Sequence, residues 1–238
     1  MKARFMKADR VAEETASFSL ELTEPFKFDA GQTCDLTLAA PRYQDDKGTS
    51  RTFSIASSPA DLPRLMFATR LTGSAFKKSL VEAAAGTEID VDGPYGSFTL
   101  HKNAAKPALL FAGGIGITPF HSIVKDATER RLPHRLTLFY SNRTAASTSF
   151  LSDLERWQRE NPNFRLVATI AERREADAWA HGVGLFNAEA LKPHLAEAGK
   201  DAIAYIAGPP GFVTTMRTSL EQLGADPDNV RTEEFAGY

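Results

Sequence analysis

The apolar pattern of the chain changes between residues 101 and 107, in the polar stretch HKNAAKP. Before this stretch, short β-rich runs are separated by clusters of Gly, Pro, Asp and Thr, and a single helical pattern interrupts them. After it, continuous apolar runs, typical of strands buried on both faces, alternate with helical patterns. Six short strands predict an antiparallel barrel, whereas the later alternation predicts a parallel sheet covered by helices. We therefore predict a β domain at 1–101 and an α/β domain at 107–238.

The individual elements follow from the spacing of apolar residues and from the turn residues between them. In the β domain, strands are predicted at 3–12, 15–22, 33–39, 51–57, 64–70 and 87–92, with one helix over 75–84 capped by Ser74. In the α/β domain, strands are predicted at 107–114, 135–141, 164–171, 202–208 and 229–235, and helices at 119–131, 149–161, 187–199 and 211–224.

Composition excludes several classes of protein. The 238 residues are 42% hydrophobic with a formal net charge of −2, which is ordinary for a globular chain and shows no basic excess for nucleic acid. No stretch approaches the ~20 apolar residues that cross a bilayer, so we expect no membrane partner. The single cysteine, Cys34, excludes an internal disulfide and a cysteine-rich metal cluster, and it predicts a packed thiol in a reducing, cytoplasmic setting. The five histidines show no ligand spacing, so we expect no metal.

The stretch RTFS at 51–54 combines a cation, an aromatic ring and a hydroxyl on one predicted strand. Side chains alternate along a strand, so Arg51 and Phe53 should point to one face, and Thr52 and Ser54 to the other. Arg51 can bind a phosphate in a bidentate manner, and the helix after Ser74 presents N–H groups to an anion. Alone, the same four residues also fit a half-buried strand with one surface arginine.

The stretch AGGIGITPF at 112–120 follows a predicted buried strand and opens a helix. Gly113, Gly114 and Gly116 would let the backbone approach a ligand closely. Thr118 is expected to cap the helix, and Pro119 suits the first helical position. The pattern differs from G-x-G-x-x-G and lacks the P-loop lysine, so on its own it indicates only a pyrophosphate near a helix start.

Together with GPYGSF at 93–98, AGPPGF at 207–212 and EEFAGY at 233–238, these stretches resemble the ferredoxin-NADP reductase family over nearly the whole chain. The resemblance implies an N-terminal antiparallel Greek-key β-barrel that binds FAD and a C-terminal parallel-sheet domain that binds NADH or NADPH. It implies hydride transfer from NAD(P)H to bound FAD. Single electrons would then pass to a separate small iron–sulfur protein or a flavodoxin.

For the flavin, the resemblance implies that Arg51 and the segment ending in Ser74 hold the pyrophosphate. Phe53 stands where the family usually has tyrosine, and Ser54 matches a catalytic serine near flavin N5. The backbone of the strand around Ala68 would line the ring. The flavin-binding residues implied in this way are Arg51, Thr52, Phe53, Ser54, Phe67, Ala68, Thr69, Gly73, Ser74 and Ala75.

For the nicotinamide nucleotide, the resemblance places Gly208 and Pro209 under the nicotinamide, after Ala207, where the family often has cysteine. Glu233 and Phe235 match an acidic-x-aromatic pattern with a catalytic role. Tyr238 would stack on flavin or adenine. The remaining residues implied to bind the nucleotide are Gly113, Gly114, Gly116, Thr118, Ser141, Arg143, Glu172 and Arg173.

The choice between NADH and NADPH depends on charges at the ends of the second and third strands. Arg143, Arg173 and Arg174 could bind a 2′-phosphate, whereas Glu172 would accept hydrogen bonds from free ribose hydroxyls and repel a phosphate. We expect a modest preference for NADH.

Two other functions remain open at this point. A free-flavin reductase uses flavin as a loosely held substrate, and its relatives also carry phenylalanine at the position of Phe53. A non-catalytic subunit that only binds flavin or nucleotide belongs to a different class of protein. Such subunits often add cysteines for a cluster, and the chain has none beyond Cys34.

Overall fold

The computed structural model of the chain describes residues 1–174 and 178–235. Its first half forms a six-stranded antiparallel sheet with the strand order β4-β3-β6-β1-β2-β5. The elements are β1 (Lys2–Ala12), β2 (Thr15–Leu22), β3 (Thr33–Thr37), β4 (Ser50–Ser54), β5 (Arg64–Arg70), α1 (Ala75–Val81) and β6 (Glu88–Tyr95). The antiparallel barrel predicted from the sequence is confirmed.

The sheet closes into a barrel where its two edge strands meet. Just after β4, the N–H of Ala56 donates to the carbonyl oxygen of Met66 in β5 at 2.7 Å. Inside, alternate residues of the strands form one buried cluster, to which α1 adds Phe76 and Leu80. The thiol of Cys34 is fully buried in this cluster, and burial raises its pKa to about 12, so the predicted packed thiol is confirmed.

The second half forms a six-stranded parallel sheet with the order β10-β9-β8-β7-β11-β12. Its elements are β7 (Ala108–Gly113), α2 (Ile117–Glu129), β8 (Leu136–Asn142), α3 (Leu151–Glu160), β9 (Phe164–Ile170), β10 (Gly182–Val183), α4 (Ala188–Ala198), β11 (Ile203–Gly208), α5 (Pro210–Gln222) and β12 (Val230–Glu234). Among the strands of residues 1–174 and 178–235, only the two-residue edge strand β10 has no counterpart among the predicted strands.

The parallel sheet is buried on both faces, as its continuous apolar runs predict. Along β7, Leu110 and Ala112 belong to a buried cluster that includes α2 and α3 residues, whereas Leu109 and Phe111 belong to the cluster under α4 and α5. No helix in the described ranges 1–174 and 178–235 is long and apolar enough to span a membrane.

Two side chains of α2 hold the barrel against the parallel-sheet half. The Nδ1 atom of His121 lies 2.7 Å from the carbonyl oxygen of Ala56, and the hydroxyl of Ser122 donates to the carbonyl oxygen of Ser57 at 2.6 Å. Both carbonyls follow Ser54 by two or three residues. These contacts therefore fix the end of β4 at the junction of the two halves.

Candidate functional site

Arg51 and the start of α1, which were predicted to bind an anion, both contact the same carboxylate of the chain. The Nη2 atom of Arg51 lies 3.3 Å from Oδ1 of Asp45, and the N–H of Ala75, the first residue of α1, donates to Oδ2 at 3.1 Å. The structure thus brings the arginine and the start of α1 together, as predicted. Sequence reasoning missed Asp45, because nothing in the pattern APRYQDDKGT distinguishes it from a solvated loop residue.

Arg51 also organises the loop that joins β3 to β4. Its Nη1 atom donates to the carbonyl oxygens of Lys47, Gly48 and Ser50 at 2.8, 3.1 and 2.6 Å. Its guanidinium lies over the ring of Phe76, 5.4 Å from the centroid. Arg51 is therefore bonded within its own loop, and its role in binding an anion stays a prediction.

The aromatic ring of Phe53 is not exposed on the surface of the barrel. Its ring is buried in the barrel core, 6.2 Å from the ring of Phe67 in an edge-to-face arrangement and 5.9 Å from that of Phe76. The ring of Phe53 therefore has no open face in this structure, and its contact with a flavin stays a prediction. Alternation along β4 points the side chain toward the barrel interior, and α1 covers it there.

Ser54 and Ser74 carry buried hydroxyl oxygens that have no hydrogen-bond partner within residues 1–174 and 178–235. Ser54 is 4% exposed and lies at the end of β4, and Ser74 occupies the N-cap position of α1 without capping it through its side chain. Leaving a buried hydroxyl unpaired is costly, so such groups mark places where a ligand can complete the bonding. Both therefore fit residues that contact a flavin and its phosphates.

The other residues around β4 have defined positions. The hydroxyl of Thr52 is bonded to Asp35 on the opposite side of the strand from Arg51, so Thr52 and Arg51 do not converge. Gly73 has φ of 62° just before α1.

Phe67 and Thr69 are fully buried in β5, and Ala68 between them belongs to the buried cluster of the parallel-sheet half. Ala68 therefore lies at the junction of the two halves.

Lys77 is a buried cation beside Arg51 that sequence reasoning missed. It is 6% exposed, and its Nζ atom donates to Thr72 at 3.2 Å. The pKa of Lys77 is lowered to about 8, first by burial and then by repulsion from cations that include Arg51. The sequence feature that could have indicated this buried cation is the position of the lysine directly after Phe76, on a helix face otherwise used for packing. Its presence adds a second positive charge near Arg51 at this end of the barrel.

The two glycine-rich turns of the parallel sheet are in backbone contact. A Cβ atom at Gly116 would lie 2.1 Å from the carbonyl oxygen of Ala207, and one at Gly208 would lie 3.0 Å from the carbonyl oxygen of Gly113. Gly114 has φ of 54°, a left-handed conformation that glycine adopts without strain. The structure therefore brings AGGIG and AGPPG together at the carboxyl ends of β7 and β11.

The start of α2 differs from the prediction. The helix begins at Ile117, with Gly116 at the N-cap, so Thr118 lies inside the first turn instead of capping it. The Thr118 hydroxyl donates to the carbonyl oxygen of Ile115 at 3.1 Å. A short 3₁₀ turn over Gly114–Gly116 leads directly into the helix, and no side chain caps it.

β12 places Glu233 and Phe235 beside the second glycine turn. Glu233 is opposite Ala207 in the parallel register, and the N–H of Phe235 donates to the carbonyl oxygen of Gly208 at 3.0 Å. The Oε2 atom of Glu233 is buried without a hydrogen-bond partner among the described residues, and burial raises its pKa to about 7. Tyr238, also predicted to contact a cofactor, lies outside the described residues.

The raised pKa of Glu233 predicts a specific dependence of stability on pH. Its pKa in the folded chain is about 7 against an ordinary value of 4.5, so the folded state binds more protons between these values. Stability from this group is fully present below the ordinary value and is lost as the pH rises through about 7. We expect Glu233→Gln to match the native chain near about pH 4.5 and to exceed it in stability at about pH 8. Urea unfolding at several pH values measures this, and a constant difference between the two chains would contradict it.

A pocket of about 290 Å³ lies between the β1–β2 turn of the barrel and the carboxyl ends of β7 and β8. The N–H of Glu13 donates across the two halves to the carbonyl oxygen of Ala146 at 2.7 Å. Of the predicted residues, Gly114 and Arg143 line the pocket. Lining residues that sequence reasoning missed include Glu13, Glu14, Arg70, Asn142, Thr144 and Ser149.

The charged residues at the ends of β8 and β9 pair with one another. The Nε atom of Arg143 lies 3.1 Å from Oε1 of Glu172, and Arg174 lies 3.7 Å from Glu13 of the barrel turn. Ser141 lies in β8, opposite Gly113 and Thr169, and Arg173 is exposed. A carboxylate therefore accompanies both Arg143 and Arg174.

Comparison with known proteins agrees with this architecture. Residues 110–218 match the model of the oxidoreductase NAD-binding domain. The chain is 28% identical to terephthalate 1,2-dioxygenase, reductase component 2, of Comamonas sp., over 88% of this chain and 60% of the relative. It is also 28% identical to the phenol hydroxylase P5 protein of Acinetobacter pittii (strain PHEA-2), over 91% of this chain and 60% of the relative. The chain thus spans about 60% of the length of these relatives.

Solved structures share the fold of the whole chain. The cytochrome P450 reductase GcoB of Amycolatopsis superposes with a TM-score of 0.84 at 24% identity, covering 99% of this chain and 70% of that one. A ferredoxin NADP⁺ reductase from Neisseria gonorrhoeae, with bound FAD and NADP, superposes with a TM-score of 0.79 at 19% identity, covering 98% of both chains. The chain therefore has the two-part fold of these solved reductases, and its residues 110–218 match the oxidoreductase NAD-binding domain.

Proposed function

We propose that the chain is an oxidoreductase that takes a hydride from NADH or NADPH onto bound FAD and passes single electrons to a separate acceptor. The observation that carries the proposal is the convergence of the two glycine turns with Glu233 and Phe235 on one edge of the parallel sheet. Residues 1–101 would hold the flavin and residues 107–238 the nicotinamide nucleotide. When bound, FAD supplies the ability to accept a hydride and release electrons one at a time.

The residues of the barrel would bind and orient the flavin. Arg51, Ser74 and the N–H of Ala75 would hold its phosphates, because they supply a cation, a hydroxyl without a partner and a free donor if Asp45 moves away. Ser54 would contribute a hydrogen bond at the ring. The backbone of Phe67, Ala68 and Thr69 would line the ring at the junction of the two halves.

The residues of the parallel-sheet half would position the nicotinamide. Gly113, Gly114 and Gly116 would let the pyrophosphate approach the backbone, and the start of α2 would stabilise its charge. Gly208 and Pro209 would support the nicotinamide ring. Glu233 and Phe235 lie beside that turn, where they would limit access to water and shape the space for the ring.

For the acceptor, we propose a small iron–sulfur protein or a flavodoxin. Several relatives carry names that describe reductase components, such as the reductase component of propane 2-monooxygenase in Gordonia sp.. Those names support an acceptor that is a separate component of an oxygenase system. The free, buried thiol of Cys34 supports the cytoplasmic setting expected from the sequence.

An absorption spectrum of the freshly purified protein tests this proposal. A bound flavin that NADH or NADPH bleaches under anaerobic conditions would support it. Colourless protein that reduces added flavin would instead support a free-flavin reductase, which the Asp45 carboxylate in the anion site favours. Bound flavin that neither nucleotide reduces would contradict both functions.

The pairing of Arg143 with Glu172 supports a preference for NADH. We expect Glu172→Ser to shift the ratio of NADPH to NADH efficiency toward NADPH by about tenfold, since one full charge no longer opposes the 2′-phosphate. Steady-state kcat/KM values with both nucleotides measure the ratio. Glu160→Ser, an exposed carboxylate at the end of α3, serves as the control and should leave it unchanged. Equal shifts in both variants would contradict the role of Glu172.

A further inference from the structure

The loop between β3 and β4 folds an acidic side chain onto the cation that the flavin would need. Both oxygens of Asp45 are used: Oδ2 accepts from the N–H of Ala75 at 3.1 Å, and Oδ1 accepts from the N–H of Lys47 at 3.0 Å and lies 3.3 Å from Arg51. The Asp45 and Arg51 side chains are only 26% and 21% exposed. This carboxylate is therefore a built-in part of the site.

Besides the Asp45 carboxylate, Arg51 has further cations as neighbours. Arg51 and the buried Lys77 lie close enough for their charges to repel, and Lys47 adds a third charge from the loop. An excess of positive charge around a partly buried space is what a phosphate group requires. Asp45 supplies a single negative charge to this space.

A phosphate and the Asp45 carboxylate cannot use the same donors together. The Nη2 atom of Arg51 and the N–H of Ala75 both point at Asp45 in the structure. A phosphate at Arg51 would have to displace the carboxylate and would otherwise lie against a like charge. Most residues of the loop that carries Asp45 are exposed. The Asp45 side chain can therefore turn outward without disturbing the barrel core.

We propose that Asp45 competes with the flavin phosphate for Arg51 and thereby lowers the affinity of the chain for phosphate-bearing flavins. This inference rests on the proposed function, because it takes flavin to bind at Arg51. It makes Asp45 a residue that determines affinity and selects among flavins. Riboflavin, which lacks a phosphate, is not subject to the competition, whereas FMN and FAD are.

The neighbouring residue offers a matched control. Asp46 carries the same charge as Asp45 and lies in the same loop. However, no hydrogen bond or ion pair joins it to any residue in 1–174 or 178–235. Asp45→Asn removes the charge but keeps one side-chain oxygen, which can accept from the N–H of either Ala75 or Lys47, so the loop should keep its fold. Asp46→Asn removes one charge from the loop without touching Arg51.

The experiment titrates flavin-free protein with riboflavin, FMN and FAD and follows the change in flavin fluorescence. Asp45→Asn should tighten FMN and FAD by about fivefold, as expected for the loss of a partly screened ionic competitor, and leave riboflavin unchanged. Asp46→Asn should bind all three flavins as the native chain does. Thermal unfolding of the flavin-free proteins reports whether the loop change disturbs the fold.

Several results would overturn the inference. Weaker FMN and FAD binding by Asp45→Asn would mean that Asp45 positions Arg51 for the phosphate instead of competing with it. Equal gains in Asp45→Asn and Asp46→Asn would reduce the effect to net charge, and an equal gain for riboflavin would place it outside the phosphate site. A native chain that binds none of the three flavins would contradict the proposed function itself, which distinguishes the two failures.

Discussion

Gly116→Ala is expected to lower the free energy of unfolding by about 3 kcal/mol, the upper end of the cost of overpacking. The added Cβ atom would lie 2.1 Å from the carbonyl oxygen of Ala207 and 2.7 Å from Cα of Gly208. These are backbone atoms of β11 and cannot rotate away. Gly116 has φ of −59°, which alanine adopts readily, so the cost is steric and not conformational.

The same substitution should weaken nucleotide binding, because separating the two turns moves AGGIG away from AGPPG. Urea unfolding and titration with NAD⁺ measure the two effects. Gly211→Ala is the matched control: a Cβ atom there meets nothing within 4 Å, so stability should be unchanged or slightly higher. If Gly116→Ala were as stable as Gly211→Ala, the close contact between the turns would not exist in solution.

Arg51→Ala is expected to reduce flavin affinity by about one to two decades, which corresponds to roughly 1.5–3 kcal/mol for a lost charge-assisted bond. The substitution also leaves Asp45 without its ion pair, so the carboxylate no longer competes for a guanidinium. Flavin titration of the two flavin-free proteins gives the difference. Arg42→Ala removes a cation from the same loop, where it pairs with Glu82, and should have little effect.

Combining Arg51→Ala with Asp45→Asn tests whether the two residues act on the same phosphate. The gain expected from Asp45→Asn should shrink once Arg51 is absent, since the carboxylate and the phosphate would then share only the N–H of Ala75. Additive effects would mean that the residues act independently. Full flavin retention by Arg51→Ala alone would place the anion site elsewhere in the chain.

The order and type of the elements could be predicted from the sequence, because they depend on local spacing. Alternation with turn residues indicated the barrel strands, and continuous apolar runs indicated the strands of the parallel sheet. The two glycine turns were also recognisable, since close backbone contact requires glycine whatever lies opposite. The group that lies opposite Gly116 is the carbonyl of Ala207, which is 91 residues away along the chain and could not be predicted from the local sequence.

Within the site, the sequence by itself determined which residue types were available, and the tertiary structure decided how they are used. Phe53 carries the aromatic ring that the pattern requires, yet the position of α1 encloses it in the barrel. The sequence around Asp45 predicts only a solvated loop residue, yet in the fold its carboxylate contacts Arg51 and the N–H of Ala75. Alternation specifies the face of a strand, but which group meets that face depends on elements distant in sequence. Burial then decides the charge of Glu233, which has an ordinary carboxyl group in the sequence and a pKa of about 7 in the fold.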